Sequence, residues 1–181
     1  MTYLNELEIP ILNGDNMTLE VVTEYRLEQF KVDIKEAFRF GAAEGMDTDE
    51  EVLPEEDLIK SLSAEGAIAY AVTEDGDMLG GAIVNIDEKT NINHLDFLYV
   101  KVGQQGKKIG QFIWKEIEKR HTATKVWETC TPYFDKRNIH FYINCCGFHA
   151  VEFYNKHHPD PNFPEDADDG IYAIKFVYLS L

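Results

Sequence analysis

The stretch Leu95-Asp96-Phe97-Leu98-Tyr99-Val100-Lys101-Val102-Gly103-Gln104-Gln105-Gly106-Lys107-Lys108-Ile109-Gly110 orients the reading of the whole chain. Its first half has the apolar, aromatic character of a strand. Its second half is a turn bearing glycines and lysines, and it runs into an amphipathic segment with Ile109, Phe112, Ile113 and Ile117 on one side. A strand that feeds a helix through such a turn aims free backbone N–H groups and the positive end of the helix dipole at one point, where anions bind. Gly103 and Gly106 permit backbone angles and close approach that a side chain would block, and Lys107 and Lys108 add positive charge there. A phosphate-bearing ligand at 105–110 is the expectation. The plainer account is a glycine turn at a solvated helix start. A mononucleotide loop would need a hydroxyl after Gly-Lys, and Lys108 stands there instead; the Gly-x-Gly-x-x-Gly of a dinucleotide site is also missing.

Working outward, residues 67–73 and 78–87 form two β-rich runs joined through Asp75-Gly76, a strong hairpin signal. Upstream, the pattern predicts a short strand at 18–22 and a helix over 24–41 with Leu27, Phe30, Ile34 and Phe38 as its apolar stripe. A second helix starts near Glu55 after Pro54 and ends by Gly66. Downstream, residues 93–102 are a strand, 105–121 a helix, 125–131 a strand, 137–146 a helix, and 150–155 and 171–179 strands. The order β, α, α, β, β, β, α, β, α, β, β places the chain in the α/β (α+β) class, as a mixed sheet with helices on both faces. Without a repeat or a linker, residues 1–181 read as one domain.

Composition narrows the function. Seventeen basic against thirty-three acidic residues give a net charge of −16, which excludes a nucleic-acid partner, since phosphate neutralisation needs a basic surface. No apolar run approaches the roughly 20 residues needed to span a bilayer, so no membrane partner is expected. The N-terminal MTYLNELEIPIL has two glutamates and no basic segment, and a cytoplasmic location is expected. Cys130 and the adjacent Cys145 and Cys146 do not suggest a disulfide framework, and they lack metal-ligand spacing; buried thiols are the favoured account. The pair His157-His158 reads as a solvated loop, and no metal is expected.

Gln105-Gly106-Lys107-Lys108-Ile109-Gly110 resembles the Gln/Arg-x-x-Gly-x-Gly/Ala signature of the GNAT superfamily of N-acetyltransferases, with Lys108 where the central glycine is usual. The element order from residue 18 onward is similar to that family too. A third likeness is Trp127 to Phe148, which resembles the strand, helix and Gly-Phe ending after the cradle. The resemblance implies a mostly antiparallel central sheet of six to seven strands, with acetyl-coenzyme A as co-substrate. It assigns cofactor binding to Gln105, Gly106, Lys107, Lys108, Ile109 and Gly110, to Asn138 early in the later helix, and to the backbone of Leu98, Tyr99 and Val100 on a strand that splays from its neighbour. The family's tyrosine acid stands four residues before Gly-Phe. Here Tyr142 stands five before Gly147, and Ile143 takes the usual place.

Acetyl transfer to an amine needs a proton acceptor, a stabilised oxyanion and an acid for the thiolate. His94, Asp96, Leu98 and Val100 alternate along one strand and are expected on one face, which makes His94 and Asp96 candidate bases; Glu128 on the adjoining strand is a third. Each also fits a plain hydrogen-bonding role. Tyr142 is the candidate acid, or else an amphipathic core residue. The acid-rich segments 44–57 and 159–170 correspond to the family's acceptor-side connections. A cationic acceptor is therefore expected, either a small-molecule amine or a basic peptide. The function read here is N-acetyl transfer by direct attack in a ternary complex. Its rivals are a non-catalytic acyl-coenzyme A sensor or partner-binding module and a generic phosphate-binding regulator. The final aromatic strand is a candidate for pairing across a homodimer.

Overall fold

The computed structural model describes residues 16–42, 52–161 and 173–180. In chain order these form β1 (Thr18–Val21), α1 (Glu24–Ala42), α2 (Glu55–Ser63), β2 (Ala67–Glu74), β3 (Asp77–Asn85) and β4 (Ile92–Val100). Then follow α3 (Ile109–Arg120), β5 (Val126–Pro132), α4 (Lys136–His140), a π-helical turn (Phe141–Cys145), β6 (His149–Tyr154) and β7 (Ala173–Leu179). The order is the one expected. The strands make one sheet, β1-β2-β3-β4-β5-β7-β6, in which β4 and β5 are parallel and every other pair is antiparallel. Between β2 and β3 the two-residue loop Asp75-Gly76 has φ of 51° and 89°, as a tight hairpin of type I′ requires.

Two apolar layers flank the sheet. On one face α3 buries Ile109, Ile113, Trp114 and Ile117 against Leu95, Trp127, Phe148 and Phe176. On the other, α1 and α2 bury Phe30, Ile34 and Leu58 against Ile83 and Tyr99. Each such side chain contributes about 1.5–3 kcal/mol of burial free energy.

Three expectations about local structure are corrected. The helix expected from residue 105 begins at Ile109, because Gly103, Gly106 and Lys108 have φ of 86°, 82° and 61°, outside what a right-handed helix admits. The alternation expected along β4 fails at a bulge. Ile83 pairs with Phe97 and Val84 with Leu95, so Asp96 is the extra residue. Beyond it the parity reverses: Leu98 and Val100 join the α3-side core, whereas Phe97 and Tyr99 face α1 and α2. His94, Asp96, Leu98 and Val100 therefore do not share a face. Finally, β7 cannot pair across a dimer, since β5 and β6 occupy its two edges; Tyr172 lies outside the described residues.

Candidate active site

β4 and β5 begin as a ladder and then part. Their register holds only for Ile92 with Val126, Asn93 with Trp127 and His94 with Glu128, while β4 continues six residues further. At the fork Thr129 fills the gap, its hydroxyl donating to the Leu95 carbonyl at 2.8 Å. Lys101 N–H donates to Leu79 C=O, so by alternation the backbone groups of Tyr99 and Phe97 point to β3. Those of Leu98 and Val100 point into the fork. Tyr99, expected to share that backbone role, is instead part of the β3 ladder.

The cradle closes the far end of the fork. Ile109, Gly110 and Gln111 precede the first intrahelical bond of α3, Phe112 N–H to Lys108 C=O, so their N–H groups lack helical acceptors. The first turn holds no acid, and Lys108 supplies no side-chain cap. Lys108 takes the left-handed conformation that the family's glycine would favour, at a cost of about 1–2 kcal/mol. Open space surrounds the Cβ positions of Gly103 and Gly106. These features fit a pyrophosphate: free donors, a dipole end, two lysines and room for close approach. Gln105 bends back to accept from Gly103 N–H at 2.8 Å, and Lys107 Nζ donates to Gln104 at 2.8 Å. Gly110 serves packing, because a Cβ there would stand 3.1 Å from the Phe141 ring. Asn138 is held at the start of α4 by Asp135, which accepts from its N–H at 2.9 Å and its side-chain amide at 2.8 Å.

Tyr142 lies on the same face as α3. The expected spacing was one residue out, and the π-helical turn absorbs the difference: Cys146 N–H reaches back five residues to Phe141 C=O. Tyr142 is thereby turned inward among Phe141, Phe148 and Phe176, beside the Thr129 hydroxyl, while Ile143 is exposed. Burial holds the phenol well above its ordinary range, so it carries its proton at neutral pH.

The opposite face of the fork is polar. His94 Nε2 lies 3.4 Å from Glu128, whose other oxygen is 2.8 Å from Lys175 Nζ on β7. Asp96 has a partner of its own beside this pair. Ser61 Oγ on α2 donates to its Oδ2 at 2.5 Å, and burial raises the carboxyl above the usual range, with Ser61 and His94 pulling it partly back. Of the cysteines, Cys146 is buried, with its thiol pushed up to about 12, but Cys130 is exposed, contrary to expectation. Of the histidine pair, His158 binds Glu152 at 2.7 Å. The acid-rich segments fall largely on 43–51 and 162–172, outside the described residues.

Ser61, Thr129 and Lys175 complete the site and escaped the sequence reading. A serine in a short helix and a lysine in an alternating strand carry no local signal of their place.

Residues 27–148 match the Acetyltransferase (GNAT) family, and the chain belongs to that family of acyltransferases. The uncharacterized protein YrkN of Bacillus subtilis (strain 168) is 43% identical over 152 residues, covering 83% of this chain and 82% of that protein. Among solved structures, PaiA N-acetyltransferase from Thermoplasma acidophilum in complex with coenzyme A superposes with a TM-score of 0.68 at 16% identity, covering 90% of this chain and 98% of that one. Spermidine N-acetyltransferase from Vibrio cholerae, in complex with coenzyme A and spermine, gives 0.64 at 11% identity, covering 91% and 96%. No helix among the described residues is long and apolar enough to cross a membrane.

Proposed function

We propose that this chain is a single-domain, cytoplasmic N-acetyltransferase that moves an acetyl group from acetyl-coenzyme A to a primary amine by direct attack in a ternary complex. One observation carries it: a strand fork with a buried, protonated phenol on one face and a half-buried carboxyl of raised pKa on the other. Acetyl-coenzyme A supplies the activated thioester. Leu98 and Val100 offer free backbone groups to the pantetheine arm and acetyl oxygen, and Gln105, Gly106, Lys107, Lys108 and the first turn of α3 hold the pyrophosphate. Asn138 completes the cofactor contacts from α4.

Asp96 accepts the proton of the attacking amine. Its raised pKa makes it a better base than an ordinary aspartate, and its β-bulge re-aims it into the acceptor side. Glu128 has the weaker claim, because Lys175 neutralises it; it and His94 form the floor under the acceptor. Tyr142 donates a proton to the departing thiolate. The acceptor is a small cationic molecule or a basic peptide, a reading supported by the net charge of −16 and by the spermine-bound fold relative. Thiol release from acetyl-coenzyme A, measured across basic, neutral and acidic amines, is the test. Turnover that favours basic amines is expected. Preference for acidic acceptors overturns the acceptor class, and coenzyme A binding without turnover identifies a non-catalytic sensor.

A further inference from the structure

Asp96 and Glu128 sit on neighbouring strands but keep opposite company. Glu128 contacts Lys175 at 2.8 Å and His94 at 3.4 Å, so its charge is answered by a cation. Asp96 takes its hydrogen bond from a neutral hydroxyl, Ser61 Oγ, at 2.5 Å. The difference matters for a base. A cation paired with a carboxylate competes with an incoming proton for its oxygens, whereas a single hydroxyl donor orients the group and leaves the other oxygen free. Ser61 is well placed for this, because α2 is anchored one turn earlier by the fully buried Leu58, and Ser61 itself is buried. The charged group that acts on Asp96 is His94 on its own strand; Glu128 on β5 pairs with His94 and Lys175, and Asp33 of α1 pairs with Lys101.

Resting on the acetyltransferase reading above, we infer that Ser61 is a positioning residue for the transfer: by donating to Asp96 Oδ2 it fixes the carboxyl and leaves Oδ1 as the oxygen that receives the acceptor's proton. As the amine nitrogen bonds to the acetyl carbon its proton passes to Asp96 Oδ1, the C–S bond of the thioester breaks, and the coenzyme A thiolate leaves with the Tyr142 proton, while Ser61 keeps its own proton throughout.

Carboxyl-carbon NMR titration of aspartate-labelled protein, with Asp96→Asn assigning the signal, is run beside pH profiles of kcat/KM for wild type, Ser61→Ala and Ser61→Thr. In Ser61→Ala the Asp96 midpoint and the acidic limb of the profile are expected to rise together by about half to one pH unit. A fall in kcat of about three- to thirtyfold should accompany this, with coenzyme A affinity unchanged, and Ser61→Thr should restore most of both. An Asp96 midpoint that ignores Ser61→Ala, or one that moves while the kinetic limb stays, overturns the role of Ser61. A wild type that releases no thiol with any amine overturns the acetyltransferase reading itself, which the titration distinguishes because it needs no turnover.

Discussion

The two faces of the fork between β4 and β5 are built on different physical terms. The α3 side is aromatic and dry: Tyr142 is wedged among Phe141, Phe148 and Phe176, and the polar element that reaches it is the Thr129 hydroxyl. The α2 side is wet and charged, with His94, Glu128 and Lys175 partly open to solvent and Asp96 recessed beside Ser61. Burial works in the same direction on both, since it disfavours the ionised forms of a phenol and of a carboxylic acid alike. The consequences differ. A phenol held neutral is a reliable donor, and a carboxylate pushed toward neutrality is a hungrier acceptor. In the proposed reaction one sheet separates donor from acceptor.

Breaking the acceptor side should cost most. Asp96→Asn is expected to lower kcat by about a hundredfold or more while coenzyme A binding, followed by calorimetry, stays within twofold. The same variant should unfold at an equal or higher temperature at pH 7. A carboxyl whose folded pKa is raised gives stability that is complete below its unfolded value near 3.8 and is lost as pH rises through the folded value, and the amide escapes that loss. Breaking the donor side with Tyr142→Phe should lower kcat by about ten- to a hundredfold, again without loss of coenzyme A affinity. Equal affinity but unchanged kcat would remove the phenol from the chemistry.

Smaller effects sharpen the same division. Lys107→Ala should weaken coenzyme A binding by about three- to tenfold at low salt, with the gap shrinking as ionic strength rises. Lys108→Gly relieves a left-handed strain of about 1–2 kcal/mol and adds about 0.5–1 kcal/mol of chain entropy to the unfolded state. Thermal melts should therefore show a gain of at most about 1.5 kcal/mol, and coenzyme A affinity should fall no further than in Lys107→Ala.

Much of this architecture is legible in the chain itself. Asp75-Gly76 announces its hairpin, the apolar stripes of α1 and α3 announce their inner faces, and the glycines at 103 and 106 announce the turn that ends at α3. What escaped has a common cause: single-residue irregularities. The bulge at Asp96 and the π-helical turn at 141–145 each insert one residue into a regular element, and period counting cannot see an insertion that tertiary packing absorbs. Counting placed Ile143 in the tyrosine's position, yet the turn buries Tyr142 and exposes Ile143. Long-range pairings were equally hidden. Nothing local in Ser61 or Lys175 says that α2 and β7 will meet the fork.

The strand order carries a last consequence. β6 touches the sheet only through β7, which follows it in the chain, so a growing polypeptide makes an edge strand before it makes that strand's partner. While β7 is still being synthesised, β6 has no ladder to join. Insertion of β7 is then a late, non-local event that locks the Lys175 side of the acceptor floor into place, so the active face is assembled at the close of folding rather than at its start.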